Sequence, residues 1–215
     1  MGAPSYRAAA NAALITLAAS SLATPAMAAE TSTINAADTA WMIVATALVL
    51  MMTIPGLALF YSGMVRKKNV LATMAQSLAT VATISILWVA FGYSLAFVGD
   101  GPWIGTLDRW FLVGMTMDSV HPAAKTIPEA LFMLYQMTFA IITVALVAGA
   151  VADRMRFSAY LLFSIGWFMF VYLPLAHWVW GGGFLATTGV LDFAGGLVVH
   201  LSAGVGGLVA ARVMG

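Results

Sequence analysis

Apolar residues run along this chain in long stretches with short polar punctuation, and those stretches set the architecture. Five of them follow the first forty residues: 41–64, 70–98, 127–151, 157–180 and 190–214. Each reaches the roughly 20 residues that a helix needs to cross a bilayer. In lipid every backbone N–H and C=O must find its partner within the protein, so such runs are helices unless they close a barrel. Barrel strands are about half as long and alternate apolar with polar residues; the five runs do not alternate. The expected fold is all-α: a polytopic transmembrane bundle of five helices.

The first thirty residues follow a different pattern. A weakly basic start with Arg7 leads into an Ala/Leu-rich run over 8–22, followed by Ala26, Met27 and Ala28. A basic start, a short apolar core and an A-x-A site make a secretory signal peptide over 1–28, cut after Ala28. The competing reading is a first transmembrane helix, which the shortness of the run and its Ala and Ser content disfavour. Residues 29–40 then form a short extracytoplasmic segment, and 41–215 the five-helix unit.

Composition agrees with the pattern. Hydrophobic residues are 62% of the chain and charged residues 8%, against about 25% charged in an ordinary soluble domain. Mean hydropathy is +0.98. A net charge of +1 gives no sign of nucleic-acid binding, and the lack of cysteine excludes disulfides, thiolate metal sites and cysteine nucleophiles. No nucleophile–base arrangement or metal-ligand cluster stands out, so neither an enzyme nor a cofactor is expected.

The few charges orient the bundle. If the helices alternate, Arg66, Lys67, Lys68, Arg154, Arg156 and Arg212 share one side, while the other holds Arg109 and Lys125 among six acidic residues. Basic residues collect on the cytoplasmic side. The mature N-terminus is therefore expected outside, in the periplasm of a bacterial inner membrane, which agrees with the signal peptide. The long loop 99–126 is expected to pack over the outer face, with Trp103 and Trp110 as interfacial anchors. Gly181, Gly182 and Gly183 break the fourth helix. An odd number of spans without a tail fits the first half of a protein built from inverted repeats.

Two ionisable residues in the last run stand out, because burying charge in a membrane is costly. On a helical ruler His200 lies about 12 Å beyond Asp192 and about 80° around the axis, too far to form an acid–base pair. Asp192 reads as a cap on free N–H groups at a helix start, or as a fixed charge that attracts cations at an outer vestibule. His200 reads as a mid-membrane donor–acceptor, either for a neighbouring helix or for substrate. Trp180 is an interface anchor or a π-face for a cation. Phe139 is packing by default, and His121 and His177 are not selected.

The run DFAGGLVVHLSAGVGGL over 192–208 closely resembles the signature of the ammonium transporter family (Amt/Mep/Rh). PGLALFYSGMVRKKN at 55–69, TFAIIT at 138–143 and AHWVWGGG at 176–183 resemble the same family, in the same order. The resemblance implies a homotrimer of eleven-helix subunits, each made of two inverted five-helix repeats, of which this chain matches the first. It implies ammonium and ammonia as substrates in a lipid bilayer, with a PII-type signalling protein as a cytoplasmic partner. By position, Trp180 resembles the aromatic wall of the outer ammonium site and Asp192 the aspartate of its vestibule. Phe139 resembles one of two phenylalanines that close the pore, and His200 the first of two pore histidines. Tyr135 departs from the pattern, standing where the family often has a phenylalanine one turn before Phe139. The second histidine, the second phenylalanine and the serine of the outer site would belong to the other repeat. An ammonium sensor and a non-conducting fragment are the alternative readings.

Overall fold

The structure is a computed structural model and describes residues 33–215. The expected signal peptide lies outside the described residues. Among the described residues five helices are long and apolar enough to cross a membrane: α1, Ala36–Met64; α2, Lys67–Phe97; α3, Glu129–Val151; α4, Phe157–Thr187; and α5, Gly196–Met214. The fold is all-α and polytopic, in the pattern of a five-helix repeat.

Two helix starts differ from the hydropathy reading. Helix α1 begins at Ala36, so residues 36–40 of the expected 29–40 segment are helical. The side chain of Asn35 caps it by accepting from the N–H groups of Ala37 at 2.8 Å and Asp38 at 3.1 Å. The Asn35 N–H donates to Thr126 O at 2.8 Å, tying this start to the end of the long loop. Helix α5 begins at Gly196, not near 190. Gly195 precedes it at φ +80, in the left-handed region that glycine enters without steric cost. Asp192 therefore lies before the helix, and the helical ruler from Asp192 to His200 does not apply.

The helices alternate in direction, as the cross-links at their ends show. At one end Asp153, between α3 and α4, pairs with Arg66 at 3.4 Å and accepts from the Asn69 amide. At the other, His177 near the end of α4 meets Ala96 O at the end of α2 and Gly101 O in the long loop. The first is the basic end of the bundle and the second the long-loop end.

Helix α3 is the most enclosed of the five and packs against α1, α2 and α5. Lipid removes the hydrophobic drive between helices, so close fit and hydrogen bonds hold them together, each bond adding roughly 0.6 kcal/mol. Tyr61 donates from α1 to Leu146 O on α3 at 3.0 Å. Trp88 donates from α2 to Met133 O on α3 at 3.2 Å. Thr80 on α2 and Tyr160 on α4 share a 2.6 Å hydroxyl bond. A π-helical turn widens α2, α4 and α5 at Trp88–Gly92, Phe168–Tyr172 and Gly196–Leu201, whereas α1 is kinked at Ile54, which is extended before Pro55. Such turns redirect side chains by one position and often accompany functional sites; the last of them contains His200.

Candidate functional site

The long-loop end is assembled by hydrogen bonds to backbone carbonyls. His177 is fully buried, with Nδ1 3.1 Å from Ala96 O and Nε2 2.6 Å from Gly101 O. Sequence reasoning passed over it as a neighbour of Trp180; its function here is to lock the α2 terminus and the loop onto α4. Gly181 permits that lock, since a Cβ there would lie 1.9 Å from Ala96 O. His121 accepts at Nδ1 from the Ala123 N–H at 3.1 Å, so Nε2 carries the proton and donates to Phe97 O at 2.9 Å. The His121 ring stacks on Phe132 at 4.5 Å. Glu129, the first residue of α3, is 3% exposed; it accepts from the Tyr93 hydroxyl at 2.9 Å and pairs with Arg109 at 3.4 Å. The long loop thus packs onto the bundle as expected.

Arg109, His121 and Glu129 line one cavity with Trp180. Trp180 also lines another, of 280 Å3, with Tyr135, Gln136, Phe139, Asp192, Phe97 and Phe132. Trp180 ends the regular part of α4. Its indole N–H donates to Asp192 O at 2.8 Å, which fixes the ring plane. Phe139 meets the Trp180 ring nearly edge-on, at 6.0 Å and 70°. Tyr135 meets Phe139 the same way, at 5.0 Å and 80°. Four of the residues singled out in the sequence therefore share one chamber.

The Asp192 carboxylate turns toward α5. Oδ1 accepts from Gly196 N–H at 2.7 Å, and Oδ2 from Leu197 and Val198 N–H at 3.0 and 2.9 Å. These are free donors of a helix start, and a charged acceptor there also suits the helix dipole. Asp192 is half-buried.

His200 is elsewhere and is not buried. It is exposed on the free side of α5 and lines a separate 370 Å3 cavity with Tyr61, Leu146, Ala150 and Gly204. Hydropathy placed it inside a helix but does not tell which way a helix faces. The two cavities are nevertheless related. Phe139 lines the first and Leu146 the second, and seven residues are two turns of α3, so both lie on one face about 10 Å apart.

The match to known proteins then settles the family. A model of the Ammonium Transporter Family matches residues 40–215. The chain belongs to the ammonium transporter family. An ammonium transporter of Bacillus subtilis is 54% identical over 83% of this chain and 44% of its own length. A putative ammonium transporter of Methanothermobacter thermautotrophicus is 50% identical over 85% of this chain and 45% of its own. The crystal structure of Candida albicans Mep2 superposes with a TM-score of 0.76 at 36% identity, covering 86% of this chain and 40% of that one. A structure titled Sensor Amt Protein superposes at 0.73 with 26% identity, covering 82% and 44%. The chain thus spans less than half the length of the ammonium transporters it matches.

Proposed function

We propose that this chain forms one half of a path that takes up ammonium at the Trp180 cavity and passes ammonia along the α3–α5 face beside His200. The observation that carries the reading is the succession of two cavities on one face of α3, in a chain of the ammonium transporter family. A bare cation is expensive in the membrane interior. An aromatic chamber at the long-loop end offsets part of the lost hydration by cation–π attraction, for which tryptophan is the strongest ring. Asp192 acts as a positioning group: its carbonyl holds the Trp180 ring and its carboxylate holds the start of α5. Phe139 and Tyr135 narrow the way beyond. Proton release toward the opening leaves ammonia, a small neutral molecule that crosses apolar surroundings at lower cost. His200 offers it one donor and one acceptor nitrogen.

The basic end faces the cytoplasm in this reading, since Arg66, Lys67, Lys68, Arg154, Arg156 and Arg212 gather there. The family resemblance implies a homotrimer. A PII-type protein would meet the basic end. The likeness to a sensor of the same fold keeps ammonium sensing as the second reading.

The test is uptake of labelled methylammonium by the intact gene product in bacterial cells lacking ammonium transport. The transport reading expects saturable uptake and growth on low ammonium. Protein present in the membrane without either result contradicts it and leaves the sensor.

A further inference from the structure

We propose that residues 103–113 of the long loop form a membrane-contact surface, which seats Leu107, Trp110, Phe111 and Val113 at the boundary between lipid headgroups and acyl chains. The loop does not stay above the bundle. Trp110–Leu112 packs against Trp88–Gly92 of α2. Gly92 lies five residues before Phe97, the last residue of that helix, which is about 8 Å inside its end. Helix α2 has 31 residues, a length of about 46 Å. The hydrocarbon core is about 30 Å thick, and about 40–45 Å with the headgroup layers. The last turns of α2 therefore stand in the interfacial layer, and the segment lies beside them.

The exposed side of α2 shows what this region meets. Leu71, Ala75, Leu78, Ala82 and Ile86 are exposed at three- and four-residue spacing, the stripe that a span turns to lipid. Beyond Ile86 no residue of α2 is exposed. The stripe stops where the segment covers the helix, and Leu107, Trp110, Phe111 and Val113, all exposed, replace it. Such a cluster of bare apolar side chains marks a contact surface, and tryptophan is enriched where apolar and wet layers of a membrane meet.

The backbone of the segment meets the same demand. Polar backbone groups near lipid need partners within the protein. The N–H groups of Trp110, Leu112 and Val113 donate to Leu107 O, Arg109 O and Trp110 O at 3.1, 2.9 and 3.1 Å. Those of Gly105 and Thr106 donate to Leu95 O and Val98 O at 2.8 and 2.7 Å, and that of Arg109 to Ser94 Oγ at 2.9 Å. Phe111 and Leu112 take φ values of +46 and +60, a region that large side chains rarely enter. The bend packs Leu112 on the core and leaves Phe111 exposed. Asp108, exposed and accepting from the Thr106 hydroxyl at 2.7 Å, limits the depth, because a charge is costly further in.

Spin labelling of the intact protein, with any other cysteine replaced, reads this depth in phosphatidylcholine–phosphatidylglycerol vesicles and is independent of transport. A nitroxide on Phe111→Cys is expected to collide with oxygen, which concentrates among acyl chains, several-fold more often than with a water-soluble nickel chelate. A label on Ile86→Cys should show the same preference and one on Asp118→Cys the reverse. Val113→Cys reports the same surface if Phe111→Cys does not reach the membrane. A label at 111 or 113 that favours the nickel chelate overturns the proposal and puts the segment in water. A label shielded from both reagents overturns it as well: the surface is then covered by protein, and label–label broadening identifies the cover as a second copy.

Discussion

The Trp180 and His200 cavities lie two turns apart on one face of α3 and are built on opposite plans. The first is lined by aromatic rings, with the Trp180 indole fixed on Asp192 O and Phe139 set edge-on against it. The second is lined mostly by small and aliphatic residues, and among the described residues no hydrogen bond fixes the exposed His200 side chain. A pre-oriented chamber suits recognition, because the ordering cost is met on folding. An apolar passage with one adaptable imidazole suits conduction. In the proposed function the first region recognises and the second conducts, and the predictions run from the support of the first cavity to the basic end remote from it.

The largest effect is expected at the support of the first cavity. Arg109→Ala leaves the Glu129 carboxylate buried with Tyr93 alone and lowers stability by about 3 kcal/mol. Adding Glu129→Gln recovers most of that loss. Thermal unfolding of the single and double variants measures both, and a silent Arg109→Ala would mean that the pair does not hold the loop.

A smaller loss follows at the start of α5. Asp192→Ala frees three backbone N–H groups and costs about 1–2 kcal/mol. The Trp180 bond survives, because it goes to the Asp192 backbone. Asp192→Asn, which keeps an acceptor oxygen, should fall between. Hydrogen exchange at Gly196, Leu197 and Val198 should rise in Asp192→Ala while amides of α3 stay protected.

The smallest effect lies at the basic end, remote from the first cavity. The Asn69 amide holds the Asp153 carboxyl below its ordinary value; desolvation opposes this, and the Arg66 N–H and guanidinium reinforce it. A depressed folded pKa contributes stability that is present above the unfolded value, about 3.9, and is lost as pH falls through the folded one. As pH falls below about 4 and through the depressed value, residues 66–69 and 152–156 should therefore loosen. Asp153→Asn should be loose at neutral pH and lose that dependence, and hydrogen exchange over the two loops reports it.

The sequence shows these features to different degrees. Hydropathy alone locates five spans, because lipid demands about 20 apolar residues per crossing. It misses the Ala36 start, since a cap made by Asn35 adds no hydropathy. It extends α5 too far back, since the apolar residues around Asp192 read as helix although Gly195 turns the chain there. Asp192 stands out by its charge in an apolar run and its capping bonds can be read from position, but that Trp180, Phe139 and Tyr135 share a cavity with it is legible only through family resemblance: 12 residues and a glycine turn separate Trp180 from Asp192, and no helical spacing predicts that they touch. His177 and Gln136 carried a usable signal, as polar residues inside apolar runs. Neither its burial nor its partners can be read from spacing. The free side of α5 is likewise invisible to hydropathy, which is why His200 was expected to be buried.

The central division is tested most directly by the concentration dependence of methylammonium uptake by the intact protein, its Trp180→Leu variant and its His200→Ala variant, each at matched membrane abundance. Losing the cation–π face is expected to raise KM about tenfold while Vmax is largely kept. Losing the imidazole is expected to lower Vmax with KM little changed. Uptake by His200→Ala indistinguishable from wild type, or a Trp180→Leu defect confined to Vmax, would contradict the account.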